Sequence, residues 1–304
     1  MLNTIGFYGN PYTKYATYQE FADSLSETGA EIEDLGVGED GEKHLYGLKH
    51  GDTENKPVFF IDADCHGSEW QSSHFSKEFM RRIVNREYHN KPLMDAIVNT
   101  FAFYCVVSTN PWGYENNDYL NFNGVNLNRN TDQRWEQATV GEGTINYKGT
   151  EPFSELESQI VRDKTYELKP FFAVNVHTTN GEKGGIDTGK VFRDYRSLLL
   201  DVYHSCNLSV AKELGGTQEW SVGYSPTFTG FYGNQISKEG TPTIPTILEA
   251  QADQTDFDYG LSSLFVLAIY MYYFYKTGVH QIVDIEDVMK IVESDNSHSE
   301  QKTK

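Results

Sequence analysis

Pro57-Val-Phe-Phe-Ile-Asp-Ala-Asp-Cys65 is the most apolar strand-like run of the N-terminal third, and His66-Gly-Ser-Glu69 follows it directly. A strand end is where an α/β protein builds its chemistry. If the chain turns helical there, a histidine and a carboxylate three residues apart share one face and reach one point. A neutral imidazole and a carboxylate converging in this way make half of a zinc site. The tetrapeptide taken alone also fits a capping box opening at Ser68 or the start of a surface helix.

Working outward, the same grammar recurs. Lys43 to Lys49 and Pro57 to Ala63 read as strands around the turn-rich segment from Gly51 to Lys56, and Tyr15 to Leu25 reads as a first helix. Ser68 to Arg86 reads as a helix with acidic Glu69 at its start and Arg81, Arg82 and Arg86 at its end, the polarity a helix dipole favours. Phe101 to Val107 is a continuous apolar run, as expected of a strand buried on both faces. The polar, Asn- and Gly-rich stretch from Ser108 to Thr150 is too long for an ordinary connection. Its aromatics (Trp112, Tyr114, Tyr119, Phe122, Trp135) argue that it is ordered and functional.

Ser154 to Leu168 reads as a helix with Ser154 as N-cap and Glu157 as its capping-box partner. Phe171 to Val176 is a strand ending on His177, and Thr243 to Leu248 is a strand ending on Glu249. Helices are expected over Tyr195 to Leu214, Leu261 to Lys276 and Ile285 to Val292. Strands alternating with helices and no linker imply one α/β domain over residues 1–293, a mixed and mostly parallel sheet with helices on both faces, followed by a polar, disordered tail over 294–304.

Composition limits the function classes. A formal charge of −19 opposes binding to nucleic acid or anionic lipid, both of which need a basic surface. No apolar run reaches transmembrane length, and the first residues carry neither a basic nor an apolar leader region, so a cytoplasmic protein is expected. Cys65, Cys105 and Cys206 form no close-spaced pair and read as free, mostly buried thiols. His44, His50, His74 and His204 read as surface residues.

Four strand ends then deliver chemistry: His66 and Glu69; Asn110-Pro-Trp-Gly-Tyr114 leading to Asn123-Gly-Val-Asn-Leu-Asn-Arg-Asn130; His177; and Glu249. His66, Glu69 and His177 have the ligand count of a catalytic zinc ion, which keeps one position open for water. Glu249 supplies the non-ligand carboxylate that a zinc hydrolase uses as general base. Asn128 and Arg129 place an amide beside a guanidinium, a pair suited to holding a carboxylate. Each has a bland reading too: His177 as a core histidine, Glu249 as a solvated carboxylate, Arg129 as a partner for acidic surface.

Taken together, His66-Gly-Ser-Glu69, Asn110-Pro-Trp-Gly-Tyr114, Gly124-Val-Asn-Leu-Asn-Arg-Asn130, Gly149-Thr-Glu-Pro-Phe-Ser-Glu155, the strand ending in His177 and the late Glu249 follow the order of a known family. The chain resembles the zinc metallocarboxypeptidases, the carboxypeptidase A-like family, from about Tyr15 to about Lys276. The resemblance implies a mixed sheet covered by helices, one Zn2+ ion held by His66, Glu69 and His177, and Glu249 as general base. It implies that Asn128 and Arg129 bind the free C-terminal carboxylate of a peptide or peptide-like substrate. A mobile tyrosine that covers substrate would be Tyr224 or Tyr232, within a specificity segment from Ser221 to Pro242.

Two departures stand out. No arginine lies between Arg86 and Arg129, where the family carries one that stabilises the oxyanion, a donor whose loss costs about 10²–10³ in rate. Asn126 stands where the family has an aspartate orienting the first zinc histidine. Three functions therefore follow from the resemblance: an exopeptidase cleaving a C-terminal amide bond by metal-activated water, a zinc amidase on cell-wall stem peptides in a phage or virion setting, or a binding module of the same fold that has lost turnover.

Overall fold

The computed structural model describes residues 13–88, 91–138, 140–179, 185–187 and 227–251, with helical positions between 264 and 276. Among the described residues, seven strands form one sheet in the order β1-β2-β4-β3-β5-β7-β6. They span Glu31–Val37 (β1), His44–His50 (β2), Val58–Ala63 (β3), Ala102–Val106 (β4), Phe172–Thr179 (β5), Gly185–Asp187 (β6) and Ile244–Gln251 (β7). The central β4, β3, β5 and β7 run parallel, while β1, β2 and β6 pair antiparallel at the two edges. The expected mixed, mostly parallel sheet is what forms.

The central strands are apolar on both faces because each face is covered. On one side Phe59, Ile61, Phe103, Phe172 and Val174 pack under α1 (Tyr18–Asp23), α2 (Gln71–Asn85), α3 (Lys91–Thr100) and the helical residues Leu264 to Tyr273. On the other side Val58, Phe60, Tyr104 and Ala173 pack under Leu127, α5 (Leu156–Leu168) and α6 (Phe228–Tyr232). Side chains alternate between faces along a strand. Asp62, Asn175, His177 and Glu249 therefore share the second face, and the register pairs Asp62 with Asn175 and His177 with Glu249.

The described residues of the 117–153 stretch form two short 3₁₀ turns, Leu127–Arg129 and Trp135–Gln137, joined by irregular chain. Its asparagines take the place of a sheet ladder, satisfying backbone groups that would otherwise be buried unpaired. Asn121 Oδ1 accepts from the backbone of Asn123 and Val125 at 3.1 and 2.9 Å, and Asn130 Nδ2 donates to Lys148 O at 2.8 Å.

Some local expectations fail. The capping box at Ser154 does not form: α5 starts at Leu156, and Glu157 turns instead to accept from Glu39 N at 3.1 Å. Ser154 Oγ donates to its neighbour Glu155 at 2.6 Å. His74 is buried, not on the surface, because its Nε2 meets Tyr114 Oη at 2.8 Å and its ring stacks on Phe21; burial pushes its pKa down to about 3. β1, β6 and α3 were not anticipated. Asn110 caps a short helix, α4 (Pro111–Asn116), its Oδ1 accepting from Gly113 N at 2.9 Å. Cys65 and Cys105 are free and buried as expected. The helices expected over 195–214 and 285–292, Cys206, His204 and the 294–304 tail lie outside the described residues. Among the described residues, no helix is long and apolar enough to cross a membrane.

Candidate metal centre

At the end of β3 the chain must turn sharply to bring two side chains of one tetrapeptide together. Asp64 makes the turn with a φ of 61°, unusual for a residue with a side chain, and its buried carboxylate is held by Ser108 Oγ at 2.7 Å. A short 3₁₀ turn over Gly67–Glu69 follows, closed by Glu69 N donating to His66 O at 2.8 Å. Gly67 is required by packing: a Cβ there would lie 2.0 Å from the carbonyl carbon of Gly113 in α4. The turn sets Nδ1 of His66 2.9 Å from Glu69 Oε1.

β5 delivers the third donor. His177 Nδ1 lies 3.0 Å from Glu69 Oε2 and 3.2 Å from His66 Nδ1, and Thr178 N donates to the same carboxylate oxygen at 3.0 Å. Three side chains from two distant segments thus meet at one point. Donors around a tetrahedral zinc at its usual N and O bond lengths stand about 3.3 Å apart. The observed spacings are close to that, so the residues present fit a zinc ion.

The electrostatics agree with a cation there. Burial opposes ionisation of Glu69, yet His66 and His177 beside it hold its carboxyl well below the usual carboxylate range. Burial lowers the pKa of His66, which keeps its imidazole neutral as a ligand requires. Burial works against charging His177 as well, but Cys65, Glu249 and Glu69 raise its pKa well above the ordinary value. The pocket attracts positive charge.

A second grouping is present. Cys65, His66 and His177 offer atoms within 4.8 Å of one another. Cys65 Sγ, however, lies 3.8 Å from His177 Nε2, the ring nitrogen facing away from Glu69, and burial pushes its thiol pKa up. Cys65 therefore faces the other ring nitrogen of His177 and not the point where Glu69 and the two Nδ1 atoms meet.

The other anticipated residues distribute unevenly. Glu249 is half-buried and sits on β7 directly across from His177, on the same face. Asn128 is buried: its Oδ1 accepts from Phe228 N at 3.0 Å and its Nδ2 lies 3.2 Å from His177 Nε2. The half-buried Arg129 donates from Nη1 to Asn128 O at 2.7 Å, and its charge reaches His66. Asn126 Oδ1 stands 3.2 Å from His66 Nε2, the position the resemblance implies for the orienting group. Tyr232 differs from the expectation of a substrate-covering residue: its ring is fully buried between Phe60 and Phe228, because α6 packs it into the core. Tyr224 lies outside the described residues.

Sequence reasoning overlooked three neighbours. Tyr119 stacks on the His66 ring at 3.7 Å between centroids and 18° between planes. Asn175 Oδ1 lies 2.5 Å from His177 Nε2, and Asn175 Nδ2 donates to Asp62 Oδ2 at 2.8 Å. The available signal was polarity inside otherwise apolar buried strands, since buried polar groups are retained only with partners.

The sequence model of the zinc carboxypeptidase family matches residues 25–182, just over half of the chain. The chain belongs to the zinc carboxypeptidase family. Carboxypeptidase B of the crayfish Astacus astacus is 30% identical over 189 residues, covering 54% of this chain and 59% of that protein. Carboxypeptidase B of Rattus norvegicus is 26% identical over 283 residues, covering 74% of this chain and 66% of its own length. The chain thus spans under two thirds of the length of both relatives. Among solved structures, thrombin-activatable fibrinolysis inhibitor superposes with a TM-score of 0.67 at 16% identity, covering 89% of this chain and 82% of that one. Carboxypeptidase A of Helicoverpa armigera gives 0.63 at 16%, covering 84% and 72%. At that identity the structural likeness speaks for the fold alone.

Proposed function

We propose that this chain is a zinc-dependent metallocarboxypeptidase-like hydrolase that cleaves the C-terminal amide bond of a peptide, with His66, Glu69 and His177 holding one zinc ion. The observation that carries the proposal is the meeting of His66 Nδ1, His177 Nδ1 and the Glu69 carboxylate within 2.9–3.2 Å, with Glu249 one strand away across from His177. The names of the relatives point to the same chemistry.

A zinc ion bound there supplies Lewis acidity to the scissile carbonyl and makes a nearby water more acidic. Glu249 takes the proton of the attacking water and returns it to the leaving amine. Arg129, beside the centre, receives the terminal carboxylate of the substrate and so restricts cleavage to the chain end. Asn128 supports that pocket through its bond to Phe228 N, which ties α6 to the site.

The test is direct. Chelation abolishes cleavage of blocked dipeptides and zinc restores it, and Glu249→Gln lowers turnover by about 10²–10⁴ while one zinc per chain remains by elemental analysis. Full activity in Glu249→Gln sinks the assignment of the base. Stoichiometric zinc with no hydrolysis of any peptide or muropeptide leaves a binding module instead.

A further inference from the structure

Nδ1 of His177 is useful to a cation only if its proton sits on Nε2, and an isolated imidazole takes either tautomer. The surroundings of Nε2 decide which. Asn175 Oδ1 lies 2.5 Å away, Asn128 Nδ2 3.2 Å and Cys65 Sγ 3.8 Å. The shortest contact is to a carbonyl oxygen, which accepts and never donates, so it holds the proton on Nε2. An amide, however, has two ends of nearly equal shape. Turned over, Asn175 would present its NH₂ group to the ring, favour the opposite tautomer and aim a proton into the metal pocket.

Asp62 prevents that turn. It is fully buried, stands at the register position across from Asn175 on the neighbouring strand, and its Oδ2 accepts from Asn175 Nδ2 at 2.8 Å. A carboxylate oxygen facing the amide nitrogen leaves only the carbonyl end for His177. Both residues lie on central parallel strands, so backbone pairing fixes their spacing.

We infer that Asp62 and Asn175 form a relay of positioning residues that locks His177 in the Nε2–H tautomer and leaves Nδ1 free to bind the metal. The inference rests on the zinc reading proposed above. Asp62 orients the amide, the amide orients the ring, and neither touches substrate. Groups that fix a metal-ligating histidine from behind change metal affinity by about 10–100-fold when removed.

The test measures zinc affinity of the full chain by competition with a chromophoric chelator. Asn175→Ala weakens zinc binding about 10–100-fold. The exchange of both residues, Asp62→Asn with Asn175→Asp, reverses the amide and the carboxylate, keeps an acceptor on His177 Nε2, and restores affinity to within a few-fold of the native chain. A merely structural role predicts no such rescue. A second measurement needs no variant: ¹⁵N imidazole spectra of the zinc-loaded native chain show His177 protonated at Nε2 and metal-bound at Nδ1. Native affinity in Asn175→Ala, an exchange variant no better than Asn175→Ala, or zinc on His177 Nε2 each overturns the relay while leaving the zinc centre standing. A native chain that binds no zinc overturns the centre, and the relay with it.

Discussion

The two histidines of the centre are held by regions built on different principles. His177 belongs to the sheet: it lies on β5, its Nε2 rests on Asn175 from the same strand, and that amide rests on Asp62 of β3. His66 belongs to the loops: its Nε2 rests 3.2 Å from Asn126, whose amide is tied to Ile145 O at 3.0 Å, and its ring lies under Tyr119. The sheet half is positioned by backbone ladders shared with the core. The loop half is positioned by side-chain amides bonded to carbonyls, each worth about 1 kcal/mol net. The difference teaches that the donors are held by the sheet on one side and by an asparagine network on the other.

The comparison breaks hardest at the sheet. If Glu249 is the base proposed above, Glu249→Gln lowers turnover by about 10²–10⁴ without changing zinc content, because the proposed metal donors are left in place. Steady-state kinetics beside metal analysis checks this, and a variant that loses zinc along with activity would place Glu249 among the ligands.

Next in size is the joint between the halves. Gly67→Ala forces a Cβ against the backbone of Gly113, so the turn and α4 must separate. We expect a loss of about 3 kcal/mol in chemical denaturation, together with weakened zinc binding. Native stability in this variant would show that the close approach of turn and α4 is dispensable.

Glu157 probes the anchoring of α5 on the loop side. Burial pushes its carboxyl up to about 7 from the ordinary 4.5, against the opposing bonds from Glu39 N and Asn121. Since the folded chain binds this proton more tightly than the unfolded one, stability from this group is highest below pH 4.5 and declines as pH rises towards 7. Glu157→Gln therefore stabilises the chain at pH 8 relative to pH 4.5 by up to about 3 kcal/mol, read from denaturation curves at the two pH values. An equal effect at both ends would contradict the buried, protonated state.

The smallest effect sharpens the loop half. Asn126→Asp places a carboxylate behind His66 where an amide now stands, and tightens zinc binding about tenfold. Chelator competition measures it. Weaker binding in that variant would mean that the network from Asn126 to Ile145 O matters more than the charge facing the ring.

How much of this was legible beforehand follows the same division. The central strands announced themselves as unbroken apolar runs because both faces of a parallel sheet are covered, and the polar residues that gather at their ends (His66, Glu69, His177, Glu249) stood out by position. The order of short motifs carried the family. The edge strand β1 escaped because Glu-Ile-Glu-Asp-Leu-Gly-Val is half-exposed and reads as a polar turn. The capping box at Ser154 failed because Glu157 found a backbone partner 118 residues away.

Residue type and spacing are local quantities, and they were enough for the central strands and for the three side chains that meet at their ends. Which nitrogen of each histidine faces the carboxylate, that Asp62 and Asn175 stand in line behind His177, that Tyr119 lies on His66 and that Tyr232 is sealed in the core are consequences of strand register and helix packing. Register joins residues more than a hundred positions apart through backbone hydrogen bonds, and no local pattern of side chains encodes which of them will be neighbours.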